Sequence, residues 1–153
     1  MNDVTRISKH EVRYEADTGF IYIVSNGALN ADELRVLTST LAEYAARSGP
    51  DEPAFILADG RKSTGLTTDA RKAMTTGPTS FRAYVAAFGV SVPVRVVLNL
   101  VMKAVAMIGR DNVVLRFVSD ITEAREWLAE AQRSYRAQVA ASKVGTAQPA
   151  NPP

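Results

Sequence analysis

"FILADGRKSTGLTTDARKA", residues 55–73, decides how this chain is read. Its first residues complete an apolar run, 54–58, bounded by Pro53 and Gly60. A run that short and that apolar reads as a strand buried on both faces. Asp59-Gly60 reads as a turn at the end of that strand. A polar corner follows, and a helix is expected from about 68 to 76, closed by Gly77-Pro78. Strand, corner and helix in this order are the building unit of an α/β sheet.

The same alternation continues on both sides. Upstream, Val12, Tyr14 and Ala16 alternate with charged residues across 10–17, the period of a half-buried strand. Thr18-Gly19 turns the chain into a second strand over 20–25, ended by Gly27, so the pair forms an antiparallel hairpin. Asn30 followed by Glu33 is a capping box, and Leu34, Leu37, Leu41 and Ala45 carry a helix over 31–47, stopped by Gly49-Pro50. Downstream, 83–90 is a strand. Ser91 and Pro93 open a helix over 92–108 that Gly109 breaks, and 113–118 is another strand. Asp120 with Glu123 repeats the capping box before a last helix to about 141, with Ile121, Ala124, Leu128, Ala131 and Tyr135 on one face. The order is ββαβαβαβα: an α/β domain over 1–141 with a mostly parallel sheet and an antiparallel N-terminal hairpin strand. Residues 142–153, small and proline-rich, read as a disordered tail.

Composition narrows the chemistry. The 153 residues include no cysteine and one histidine, His10, which rules out disulfides, thiolate catalysis and cysteine-based zinc sites. No Asp/Glu cluster has metal-ligand spacing, so neither a metal nor another cofactor is expected. Lys and Arg number 18 against 16 Asp and Glu, too small an excess to imply a nucleic-acid partner. The charged first twenty residues hold no apolar signal core, so a cytoplasmic protein is expected. Arg95, Asn99 and Lys103 interrupt the apolar stretch 92–109 every four residues, which argues against a transmembrane segment.

Three stretches carry a family resemblance: "PAFILADGRKSTGLTTDARKA" (53–73), "YVAAFGVSVPVRVVLN" (84–99) and "VLRFVSDITEAREWL" (114–128). Together they resemble the STAS fold, the SpoIIAA-like domains of anti-sigma-factor antagonists, and in particular a bacterial STAS-like family of largely unassigned function. The shared features are the strand–Asp–loop–helix with Ala70-Arg71, and an ending built on Phe117, Ala124, Trp127 and Leu128. In antagonists of this fold a serine at a helix start is phosphorylated by a partner kinase, and its state decides partner binding. The matching positions here are Leu66, Thr67, Thr68 and Asp69, where threonines stand in place of the Asp-Ser-Ser-Gly signature.

Two surfaces are candidate sites. Thr67 and Thr68 at a helix start, with Asp59, Arg71 and Lys72 nearby and Arg61, Lys62 and Arg82 flanking, could hold a phosphate or anionic partner. The plainer account is that one threonine caps the helix, Asp69 complements its dipole and the bases face solvent. The second surface is the helix 92–108, apolar around most of its circumference, with Arg95, Leu98, Asn99, Met102 and Lys103 as candidate interface residues. Neighbouring helices and Trp127 could cover it. A homodimer, a protein partner or a lipid-like ligand beneath it could do so too. No base, nucleophile and oxyanion donors assemble around Asp59, so no catalytic residue is assigned and the chain reads as a non-enzymatic regulatory or interaction domain.

Overall fold

The computed structural model describes residues 3–49, 51–76, 82–108 and 112–145. The elements are β1 (Asp3–Ile7), β2 (His10–Glu15), β3 (Phe20–Leu29), α1 (Ala31–Ala46), β4 (Ala54–Leu66), α2 (Thr68–Thr76), β5 (Ala83–Phe88), α3 (Val92–Met107), β6 (Val113–Val118) and α4 (Ile121–Gly145). One six-stranded sheet follows sequence order from β1 to β6. β1, β2 and β3 are antiparallel neighbours, and β3 to β6 run parallel. The hairpin joins as the sequence implies: Gly19, at φ +74, donates its N–H to Glu15 O at 2.8 Å.

Four expectations need correction. A strand, β1, precedes the expected first one, paired with β2 through a turn in which Ser8 adopts φ 57. Its polar residues and an exposed Val4 hide it as an edge strand. Gly27 does not end β3, nor does Asp59-Gly60 end β4. Both strands continue and pair out to Leu29 and Leu66 through two register shifts. α4 runs through 142–145, so the helix takes in the start of the expected tail. Pro50, Gly77, Pro78, Gly109 and 146–153 lie outside the described residues.

Caps mark the helix starts. Asn30 Oδ1 accepts the Glu33 N–H at 2.8 Å and Glu33 Oε2 accepts the Asn30 N–H at 3.0 Å, the full reciprocal box. Asp120 Oδ1 accepts the Glu123 N–H at 2.8 Å, but the Glu123 carboxylate turns back onto Ser119, accepting from its N–H at 2.9 Å and its hydroxyl at 2.6 Å. Ser91 occupies the cap of α3 without a side-chain hydrogen bond.

The core is layered by strand alternation. On one face Leu41, Tyr44 and Ala45 of α1 pack on Val12, Ile21, Ile23 and Ile56. On that same face Val94 of α3 packs on Ala87 and Val90, beside Ala58, Leu115 and Phe117. α2 lies between, touching both α1 and α3. On the other face, among the described residues, α4 buries Ala124 and Leu128 against Phe20, Phe55, Leu57, Ala86, Phe88 and Val118. Fully burying a side chain such as Phe55 or Leu128 contributes about 1.5–3 kcal/mol. The Arg125 guanidinium reaches Glu15 at 2.7 and 2.9 Å, and Gln132 donates to Thr18 O at 3.0 Å, so α4 is pinned to the β2–β3 hairpin. The three helices linking the parallel strands share one face, so the sheet has no switch point of the kind that opens a ligand crevice in doubly wound folds.

Candidate functional site

Asp59 sits inside β4, with its side chain 6% exposed. A bulge follows it at once: Val24 pairs with Asp59, but Asn26 pairs with Lys62, so Gly60 and Arg61 together oppose Ser25. The bulge folds Arg61 back onto the acid. Asp59 Oδ1 accepts from the Arg61 backbone N–H at 3.1 Å and from Nε at 3.0 Å, while Oδ2 accepts from Nη2 at 2.7 Å and from the Tyr22 hydroxyl at 3.4 Å. Arg61 chiefly, through these hydrogen bonds, holds the Asp59 carboxyl below the usual aspartate range, against the opposing effect of burial. Burial, then the Asp59 charge, raises the Tyr22 phenol.

Two glycines let the backbone close around this pair. A methyl at Gly60 would lie 2.4 Å from Val90 Cγ2, and one at Gly89 would lie 2.3 Å from Arg61 Cγ. The Arg61 guanidinium carbon stands 5.6 Å from the Phe88 ring centroid. In front of the group is a hollow of about 440 Å³ lined by Val24, Ser25, Asn26, Asp59, Arg61 and Lys62.

The other expected residues of this corner lie elsewhere. Asp59 and Thr67 are eight residues apart along extended chain, roughly 20–25 Å at the rise of a strand. Thr67 caps α2: its carbonyl accepts the Arg71 N–H at 3.0 Å, and its hydroxyl contacts Asp69 and lies 3.4 Å from the Ala70 nitrogen. Thr68 is exposed, and its hydroxyl accepts from Arg71 Nη2 at 3.2 Å. The Nε of the same arginine is buried with no hydrogen-bond partner among the described residues. Lys72 is exposed on the second turn of α2. Arg82 lies at the opposite end of the strands, donating to Asp51 O at 3.0 Å.

α3 also differs in detail from expectation. Leu98 turns toward Val94 and the sheet, and Met102 is half-buried. Arg95 donates from Nε to Val90 O at 3.0 Å and lies over the Phe117 ring, which makes it a clamp on the sheet. The outward apolar residues are Val92, Val96, Leu100 and Met107, with Asn99 and Lys103 exposed among them. Trp127 does not cover them, because α4 carries it on the other face against Tyr84.

The single histidine is structural. His10 is buried, with Nδ1 accepting the Asn26 N–H at 3.1 Å and Nε2 lying 3.2 Å from Glu33 Oε2. Among the described residues no group of three or more His, Cys, Asp or Glu could hold a metal ion. Among them, too, no helix is long and apolar enough to cross a membrane.

No family model and no curated protein matches the chain. A solved structure does: an uncharacterized protein from the DUF3478 family, from Shewanella loihica PV-4, is 17% identical with a TM-score of 0.44, over 84% of this chain and 92% of that one. That protein has a SpoIIAA-like fold. The sequence resemblance implies the same fold.

Sequence reasoning missed the roles of Tyr22, Phe88 and His10 and the outward positions Val96 and Leu100. Each depends on partners far along the chain or on which side of a helix the sheet takes. The Asp-x-Arg spacing of Asp59 and Arg61 was visible, but its use depends on the bulge.

Proposed function

We propose that this domain works by binding rather than by chemistry, and that a protein partner docks on the outward side of α3. One observation carries the reading: Val92, Val96, Leu100 and Met107 are 70, 53, 61 and 88% exposed on a helix that otherwise packs on the sheet. An apolar stripe of this kind is retained where something covers it. Charge indicates what covers it. Arg95 and Lys103 are the charged residues of α3, and it carries no acid. Lys103 is exposed among these residues and α3 has no acid to answer it, so a second copy packed on the stripe offers this cation no partner. A partner helix with an apolar face and acidic flanks does. A ligand beneath α3 is less favoured, since Val94, Val101 and Val105 already bury that side.

A second reading concerns regulation. Thr68 is exposed at the start of α2 within reach of Arg71, and a phosphate carried there would be stabilised by the helix terminus and that guanidinium. α2 packs on α3, the helix that carries the docking surface.

The test uses Val96→Glu/Leu100→Glu, both exposed and so compatible with folding. Affinity capture from source-cell extract should recover a protein that the double variant loses and Lys72→Ala retains. Its bound segment should be apolar with flanking Asp or Glu. Equal capture by all three would reject the α3 surface. Light scattering should show a monomer, and native mass spectrometry should show no copurified lipid. If a phosphate on Thr68 regulates docking, Thr68→Glu should change capture where Thr68→Ala does not.

A further inference from the structure

Arg61 combines two properties that rarely coincide. Its side chain is 67% exposed, yet it is held on three sides. Buried Asp59 takes Nε and Nη2, the Phe88 ring lies against its head, and Gly89, at φ +70, brings backbone against its stem. An ordinary exposed arginine surrenders rotamer freedom when it grips a ligand; this one has surrendered it on folding. Among the described residues Asp59 is its ion-pair partner, and its exposed side chain lines the hollow.

The bulge adds a second cation. In a regular strand Arg61 and Lys62 would point to opposite faces. Here both line the same hollow, with Ser25, the residue facing the bulge. The Lys62 ammonium has no ion pair or hydrogen bond with the described residues, and neither has the Ser25 hydroxyl. Asp59 also faces the hollow, but it neutralises only one of the two cations, which leaves a net positive charge. The volume lies within the range of small-molecule sites, about 300–1,000 Å³, and exceeds what a bare oxyanion fills.

We propose that the hollow at the β3–β4 bulge binds a small phosphorylated molecule, with Arg61, Lys62 and Ser25 donating to the phosphoryl group and Val24 meeting the organic body. This site is separate from α3, and neither depends on the other.

Amide-resolved NMR titration tests it, with glycerol 3-phosphate as the probe and sodium chloride at matched ionic strength as the control. Saturable shifts are expected at Ser25, Asn26, Arg61 and Lys62 with the phosphate ester and not with chloride. Lys62→Ala, at an exposed position, should weaken binding about tenfold, since it removes a charge-assisted contact. Arg61→Lys, which keeps the charge and loses the fork, should weaken it similarly, and Lys72→Ala should leave it unchanged. The spectra themselves report whether each variant folds. Equal shifts with chloride, no saturable shift with the ester or with inorganic phosphate, or an undiminished affinity in Lys62→Ala would each overturn the proposal.

Discussion

Gly60 is where the structure departs furthest from a local reading of the chain, and alanine there gives a sharp test. As a turn glycine it would be needed for its own backbone freedom. In the structure it lacks a left-handed φ and is needed because Val90 occupies the space a side chain would enter. The added methyl would lie 2.4 Å from Val90 Cγ2, at least about 1 Å inside ordinary carbon contact. Val90 cannot easily turn away: it is β-branched, 7% exposed, and packed with Ala87 and Val94. Overpacking a core in this way costs about 1–3 kcal/mol. Removing glycine's freedom from the unfolded chain offsets about 0.4–1 kcal/mol of that. Gly60→Ala should therefore destabilise by about 1–2 kcal/mol, a fall in urea midpoint of about 0.5–1 M for a slope near 2 kcal/mol per M. Val90→Ala alone should cost about 2–3 kcal/mol, since it removes two buried methyl groups and leaves a cavity. The double variant should be no less stable than Val90→Ala, because the new methyl enters the vacated space. That is a favourable coupling of about 1–2 kcal/mol in the double-mutant cycle. Additivity within about 0.5 kcal/mol, or a neutral Gly60→Ala, would refute the argument.

Three further outcomes are expected. Leu128→Ala, at a fully buried position of α4, should cost about 2–5 kcal/mol in urea unfolding, the range for a cavity in a well-packed core. Asn30→Ala should cost about 1 kcal/mol, read as a fall in urea midpoint, by removing the side-chain oxygen that accepts the Glu33 N–H, while the Asn30 backbone N–H still reaches the Glu33 carboxylate. Acid should destabilise the fold in a defined window. Arg125 hydrogen bonds lower Glu15, the Asn30 N–H lowers Glu33 and Arg61 hydrogen bonds lower Asp59, so each is more acidic folded than unfolded. Their stabilisation is complete above the unfolded carboxyl range, near pH 4, and is lost as pH falls through the folded values. Urea midpoints should hold from pH 7 to 5 and drop below about pH 4, and Glu33→Gln should flatten that drop.

What was legible in the sequence was legible because its causes are local. The Asn30–Glu33 box, the Thr18-Gly19 turn and the apolar runs at 54–58 and 113–118 act within a few residues, and α1, the β2–β3 hairpin, the start of β4 and β6 stand where they imply. The candidate corner was legible only as composition. Asp59, Arg61 and Lys62 were visible as charges, while Thr67 and Thr68 seemed to share their site because both groups flank one polar stretch.

Tertiary structure decided the rest, and the reason is sequence distance. Residues 59–66 have neither the alternation nor the β-branched content of a strand; they are extended because residues 24–29 of β3 offer them hydrogen bonds from more than thirty positions away. That pairing makes the bulge, and the bulge sets Arg61 on Asp59 while the threonines are carried to the far end. Likewise, periodicity marks α3 as too apolar for one buried face, but only the placement of α4 on the opposite side of the sheet leaves Val96 and Leu100 uncovered. The sequence by itself determined the capped helices and the apolar strand runs; the edge strand β1, the extensions of β3 and β4, the side each helix took, and therefore which residues stay uncovered, followed from pairing and packing that no local pattern encodes.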